Sequence, residues 1–150
     1  MILFLGILFT LFFFAIIETL SKSLTMIMNL PSALLILISL LFFLLVSKSG
    51  KIIGKYIFTS LKKNYAYTKT ELEKISSAIK NTIKFILAAG VFCFMAFAVI
   101  SLGYIGSPER LGPNLAICLT TLTYAIAVSF FVFFPIQAWA ENKLNSIKNA

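Results

Sequence analysis

Residues Phe85–Ile105 read FILAAGVFCFMAFAVISLGYI and decide the fold. The stretch holds no charged residue. Its length matches the roughly 20 apolar residues that an α-helix needs to cross ~30 Å of hydrocarbon. Three other stretches share this character: Ile2 to about Leu20, Leu30 to Val46, and Leu115 to about Ala140. Glu18 is the one charge among the four, and it stands near the end of the first. The last is long enough to tilt or to protrude beyond the lipid. The pattern predicts an all-α integral membrane protein, with four transmembrane helices forming one membrane domain over residues 1–150. No Lys or Arg precedes the first span and no A-x-A site follows it, so it is expected to be retained and not cleaved as a signal peptide.

Composition agrees with this reading. The 150 residues are 60% hydrophobic and 12% charged, with a net charge of +8, and the mean hydropathy is +1.00. Soluble domains hold about 45–50% apolar and about 25% charged residues, so a water-soluble globule and a disordered chain are both disfavoured. The sequence has no His and no Asp, and Cys93 and Cys118 stand singly in apolar runs. Zinc sites built on His, His-based triads, Asp-based calcium loops and CxxC redox chemistry are thereby excluded. No enzyme, metal or cofactor is expected.

The charge distribution sets the topology. Residues 47–84, between the second and third spans, hold nine lysines: Lys48, Lys51, Lys55, Lys62, Lys63, Lys69, Lys74, Lys80 and Lys84. The other two connections hold only Lys22 and Arg110. Cytoplasmic loops collect Lys and Arg, so the connection 47–84 is expected inside, and with four spans both termini lie there too. Lys143 and Lys148 near the C-terminus agree. These charges flank the spans and lack interleaved stacking aromatics, which points to anionic lipid headgroups as partners and away from nucleic acid.

The connection is too short to bury a core of its own. Thr68 and Glu71 have capping-box spacing, with Thr70 and Glu73 as a second register. Leu72, Ile75, Ile79, Ile83 and Ile86 follow at helical intervals. A helix from near Thr70 is expected to run unbroken into the third span, extending it into the cytoplasm. The other reading is a helix lying on the membrane surface.

Polar groups inside a membrane are costly, so function is sought among them. In the fourth span Asn114, Cys118, Thr121, Ala125 and Val128 recur at i, i+3/i+4 spacing and fall on one face, set apart from Phe130, Phe131, Phe133 and Phe134. This small, mildly polar face is expected to meet another helix or to line a narrow aqueous path. Threonine hydroxyls that only bond their own i−4 carbonyl are the plain alternative. Glu18 is either a proton or cation site or an interfacial residue paired with Lys22. Gly106, Pro108, Gly112 and Pro113 mark a tight turn between the third and fourth spans, with Pro113 expected in the first turn of the fourth helix. Pro135 is expected to kink or weaken that helix. Ala89, Gly90, Ala96 and Ala125 are the small residues expected at subunit contacts.

The run Leu111-Gly112-Pro113-Asn114-Leu115-Ala116-Ile117, followed by Thr121, Tyr124 and Phe133-Phe134-Pro135-Ile136, resembles the last span of the MotA/TolQ/ExbB proton-channel family. The likeness is closest to the MotA branch, as a shortened stator subunit, and runs without gaps from Pro108 to Ile136. Glu18 and the segment Asn29–Ile36 resemble the stretch joining that family's first two spans. In the third span Gly90 matches, while the family's proline falls on Leu87 and its pore threonine on Phe94; its second adjacent threonine in the fourth span falls on Leu122.

The resemblance implies an ion-channel or stator subunit of a motor driven by a proton- or sodium-motive force in a bacterial inner membrane. It implies a pentamer of this chain around two single-span helices of the MotB/ExbD/TolR type, whose Asp takes and releases the ion. It places Thr121, Tyr124, Ala125, Cys118, Asn114 and Phe94 along the ion path. Gly90, Pro108, Gly112, Pro113 and Pro135 shape the helices. Two other readings stand beside it: a non-conducting scaffold, to which Phe94 points, and a small multidrug-type antiporter that uses Glu18.

Overall fold

The computed structural model describes residues 8, 12, 15, 29–60 and 67–148. Most of the first expected span, with Glu18 and Lys22, lies outside the described residues, as do Lys62 and Lys63.

Helix α1 is Leu30–Val46. Its start is set locally: the Asn29 side chain caps it by accepting the Ser32 N–H, and Pro31 occupies the first turn. It ends where Lys48 adopts a left-handed φ of 57°, a conformation that non-glycine residues take only in turns. The chain then bends by 98° into α2, Ser49–Ser60. This helix falls in the connection that was expected to lack a core. It is amphipathic. Ile53 and Tyr56 are buried in the common core, while Lys51 and Lys55 face outward.

Helix α3 runs unbroken from Lys69 to Leu102. The capping box is present: the Thr68 hydroxyl accepts the Glu71 N–H, and the Glu71 carboxylate accepts the Thr68 N–H. At 1.5 Å per residue, α3 is about 50 Å long, well beyond a hydrocarbon core. Its lower half buries Leu72, Ile75, Ile79, Thr82 and Ile86 at the spacing seen in the sequence.

Helix α4 is Pro108–Ala127. It starts earlier than expected, because Ser107 takes the cap position and Pro108 the first turn. Pro113 is thus not in the first turn but inside the helix. Its missing N–H leaves the Glu109 carbonyl without the usual i−4 donor, and Glu109 is exposed, so solvent can satisfy that group. A π-helical turn, Val128–Phe133, leads into α5, Phe134–Lys148. In this turn the Phe134 N–H reaches back to the Ser129 carbonyl. The distortion expected from Pro135 is therefore placed one turn upstream, where the proline ring would meet the carbonyl of Phe131.

The helices α3 and α4–α5 form a long antiparallel pair. Ser101 meets Cys118 at one end, Gly90 meets Ala125 in the middle, and Ser76 bonds Glu141 at the other end. Gly90 and Ala125, expected at subunit contacts, are instead used against each other within the chain. Helix α1 lies along both partners, with Phe43 stacked on Phe85 at 4.4 Å between centroids. Helix α2 crosses the base. There Tyr56, Tyr67 and Trp139 form an aromatic cluster with the Lys143 ammonium over two of the rings.

Two helical stretches, Lys69–Leu102 and Glu109–Lys148, are long and apolar enough to cross a membrane; α1 with Ser49–Ile57 makes a third if the bent pair is one span. Their outer faces are strongly apolar. Phe92 is 72% exposed and Val99 67% on α3, and Leu45 is 78% exposed on α1. A surface of this kind requires lipid or further protein around it. Its backbone is suited to that setting, since a helix satisfies its own N–H and C=O groups.

Candidate functional site

The polar face of α4 is turned inward. Cys118, Thr121 and Ala125 are buried, Thr121 and Ala125 completely. Asn114 and Tyr124 are half-buried on the same helix. The Thr121 Oγ1 lies 3.0 Å from the Ser32 Oγ of α1 and 2.8 Å from the Ile117 carbonyl. The Ser32 Oγ lies 3.4 Å from that same carbonyl. Each hydroxyl brings one proton, so Thr121 donates either to its own Ile117 carbonyl or to Ser32, while Ser32 can donate to the same carbonyl. One turn away the Asn29 N–H donates to the Tyr124 phenol oxygen at 3.2 Å. Asn29, Ser32, Thr121 and Tyr124 thus meet at one level between α1 and α4. Ser32 lies within the segment Asn29–Ile36. Its pairing spans 89 positions, and no local pattern announces it.

A second polar contact lies toward the Pro108 end. The Ser101 Oγ donates to the Phe97 carbonyl at 2.8 Å and stands 3.7 Å from the Cys118 Sγ. Thr120 and Thr123 bond only their own i−4 carbonyls, Ala116 and Leu119, as expected of threonines in an apolar helix. Phe94 is half-buried on α3, one turn beyond Gly90. Pro108 and Gly112 belong to the first turns of α4, away from the Thr121 level, and Pro135 follows the π turn. Glu18 lies outside the described residues.

Among the described residues one buried polar side chain is not satisfied. The Ser129 hydroxyl, in the π turn, finds no hydrogen-bond partner among the described residues. Its neighbour Phe133 and residues Ile136 and Ala140 carry the buried seam onward to the base. At the base the Tyr56 phenol is pushed up to about 12, first by burial and then by the nearby Tyr67 hydroxyl.

Among the described residues no group of three or more His, Cys, Asp or Glu side chains is placed to hold a metal. Among the described residues the Thr121 level brings together Asn29, Ser32, Thr121 and Tyr124 and no carboxylate or amine. Groups of this kind can orient a dipole or hold helices together. No family model, curated protein or solved structure matches the chain.

Proposed function

We propose that the chain is a wall subunit of an ion-driven membrane complex of the MotA/TolQ/ExbB kind. Four spans, with both termini and the basic segment 47–84 on the cytoplasmic side of a bacterial inner membrane, complete the reading. The observation that carries it is the make-up of the Thr121 level, where hydroxyls, a phenol and an amide gather between apolar helices, with no carboxylate among the described residues. The acids of the described residues, Glu71, Glu73, Glu109 and Glu141, all stand outside the apolar stretches. On the family pattern an ion-transferring Asp comes from a single-span partner helix, two copies within a ring of five. One charge moving through about 100 mV releases about 2.3 kcal/mol, sufficient for small steps of the ring around its partner. In this scheme Thr121 positions the wall through Ser32.

A non-conducting scaffold is the second reading. The observation in its favour is that Thr121 is completely buried and both of its hydrogen bonds stay within the chain. One experiment separates the two. The tagged protein is isolated from its native membrane with its companions and reconstituted in vesicles. The wall-subunit reading expects an Asp-bearing single-span companion, together with a voltage-driven ion flux that Thr121→Val lowers. A companion without flux supports the scaffold. A lone monomer or dimer overturns the wall-subunit reading.

A further inference from the structure

We propose that the cleft between α2 and the start of α3, together with the groove under the α1–α2 bend, binds one anionic phospholipid. This inference is independent of the ion-driven reading. The cleft has a volume of about 360 Å³, and Lys51, Lys55 and Lys74 stand around it with Thr59 and Tyr67. Among the described lining residues Glu71 is the one carboxylate, and it pairs with Lys55 at 2.9 Å. These residues set three ammonium groups against one carboxylate. The floor is apolar, formed by Ile52 and Ile75.

The second cavity, about 350 Å³, is lined by Leu41, Leu44 and Leu45 of α1, with Lys48 and Lys51 at the bend. Lys51 lines both cavities, so the apolar groove and the basic cleft are neighbours that share one residue. The 98° bend produces this arrangement by turning the chain from an apolar helix that is largely exposed to a basic helix laid across its end. A free phosphate would use the cleft alone, and a neutral acyl chain the groove alone. A molecule with a phosphate monoanion and an acyl chain a few ångströms apart engages both. That is the chemistry of an acidic glycerophospholipid. Lysines beside a bilayer favour such headgroups by their charge alone; the cleft adds a shaped basic receptor beside an apolar groove.

The test is native mass spectrometry of the full chain, released from nanodiscs that hold equal amounts of phosphatidylglycerol and phosphatidylcholine. The wild type is expected to retain phosphatidylglycerol. The triple variant Lys51→Gln, Lys55→Gln, Lys74→Gln is expected to retain it about tenfold less. The charge-matched variant Lys80→Gln, Lys84→Gln, Lys148→Gln, away from the cleft, is expected to match the wild type. Glu71→Gln keeps the capping box, which accepts Glu or Gln, and releases Lys55, so retention rises. Leu41→Trp fills the groove and lowers retention with every charge in place. Equal losses in the two triple variants would reduce the effect to bulk electrostatics and overturn the site. So would displacement of the lipid by inorganic phosphate, which would make the cleft a receptor for the free ion. No response to either Glu71→Gln or Leu41→Trp would overturn it independently of how the triple variants fold.

Discussion

Gly90 and Ala125 face each other across α3 and α4 so closely that a methyl group added to Gly90 would overlap the Ala125 Cβ. The obstacle is a short side chain fixed to a helix, which cannot swing aside. Gly90→Ala gains up to about 1 kcal/mol in helix propensity. It is nonetheless expected to be net destabilising, by about 1–3 kcal/mol, because the helices must part. Ala125→Gly in the same chain clears the space, and the pair is expected to recover most of the loss. Unfolding in detergent, measured as a double-mutant cycle, reads the coupling. Additive effects would mean that the two helices do not touch there.

The Thr121–Ser32 contact calls for a similar cycle. Interhelical hydrogen bonds in membranes average about 0.6 kcal/mol, with a maximum of about 1.7. Thr121→Val keeps the shape and removes the hydroxyl, so a loss of about 1 kcal/mol is expected. Ser32→Ala should cost a similar amount, and the double variant little more than either alone, because both remove the same Thr121–Ser32 contact. Full additivity in the same detergent unfolding assay would place the two hydroxyls apart.

Pro135 and the π turn can be separated by substitution. Restoring the N–H with Pro135→Ala allows Val128–Phe133 to tighten into an α-helix, which rotates α5 relative to α4. Trp139 is the only tryptophan of the chain and packs edge-on against Tyr67 and tilted on Tyr56. Its emission is expected to move to longer wavelength as it leaves that cluster. An unchanged spectrum would assign the wide turn to the packing of Ser129 and Phe133, with the proline as passenger.

Tyr56 gives the alkaline limit of the fold. Its phenol stands at about 12 in the folded chain against an ordinary value of 10.0. A folded value above the unfolded one means that its contribution is complete below about 10 and is lost as pH rises through about 12. The thermal midpoint of the wild type is therefore expected to fall between those limits by more than that of Tyr56→Phe. Ultraviolet titration of tyrosinate should show the group missing from the variant as one of the last to ionise. Parallel alkaline melting curves would place Tyr56 in water.

Legibility of this fold from sequence followed the range of the forces involved. The start of α1 and the cap of α3 were readable, because Asn29, Pro31, Thr68 and Glu71 act within one turn of themselves. The unbroken course of α3 was readable from Leu72, Ile75, Ile79 and Ile86. Helix α2 was not, since two glycines and interspersed lysines obscure the Ile53–Tyr56 stripe that buries only once α3 and α5 supply the other side. Pro113 falls inside the helix because Pro108 opens it more than a turn earlier, although Ser107 makes no side-chain cap bond there. At the candidate site the polar face of α4 was visible by period. That the face closes on Ser32, Gly90 and Ser101 of the same chain depends on tertiary pairing, and a periodicity along one helix carries no record of its partner.

The wide turn at Val128–Phe133 lies beside an α3 that has no interruption over 34 residues. The pair therefore combines a stiff rod with a jointed one. A displacement between the Thr121 level and the basic base is most easily taken up at the π turn, where the Ser129 hydroxyl has no bond among the described residues to lose. The joint makes the two ends of the bundle mechanically distinct parts, free to be adjusted separately while the rod keeps them in register.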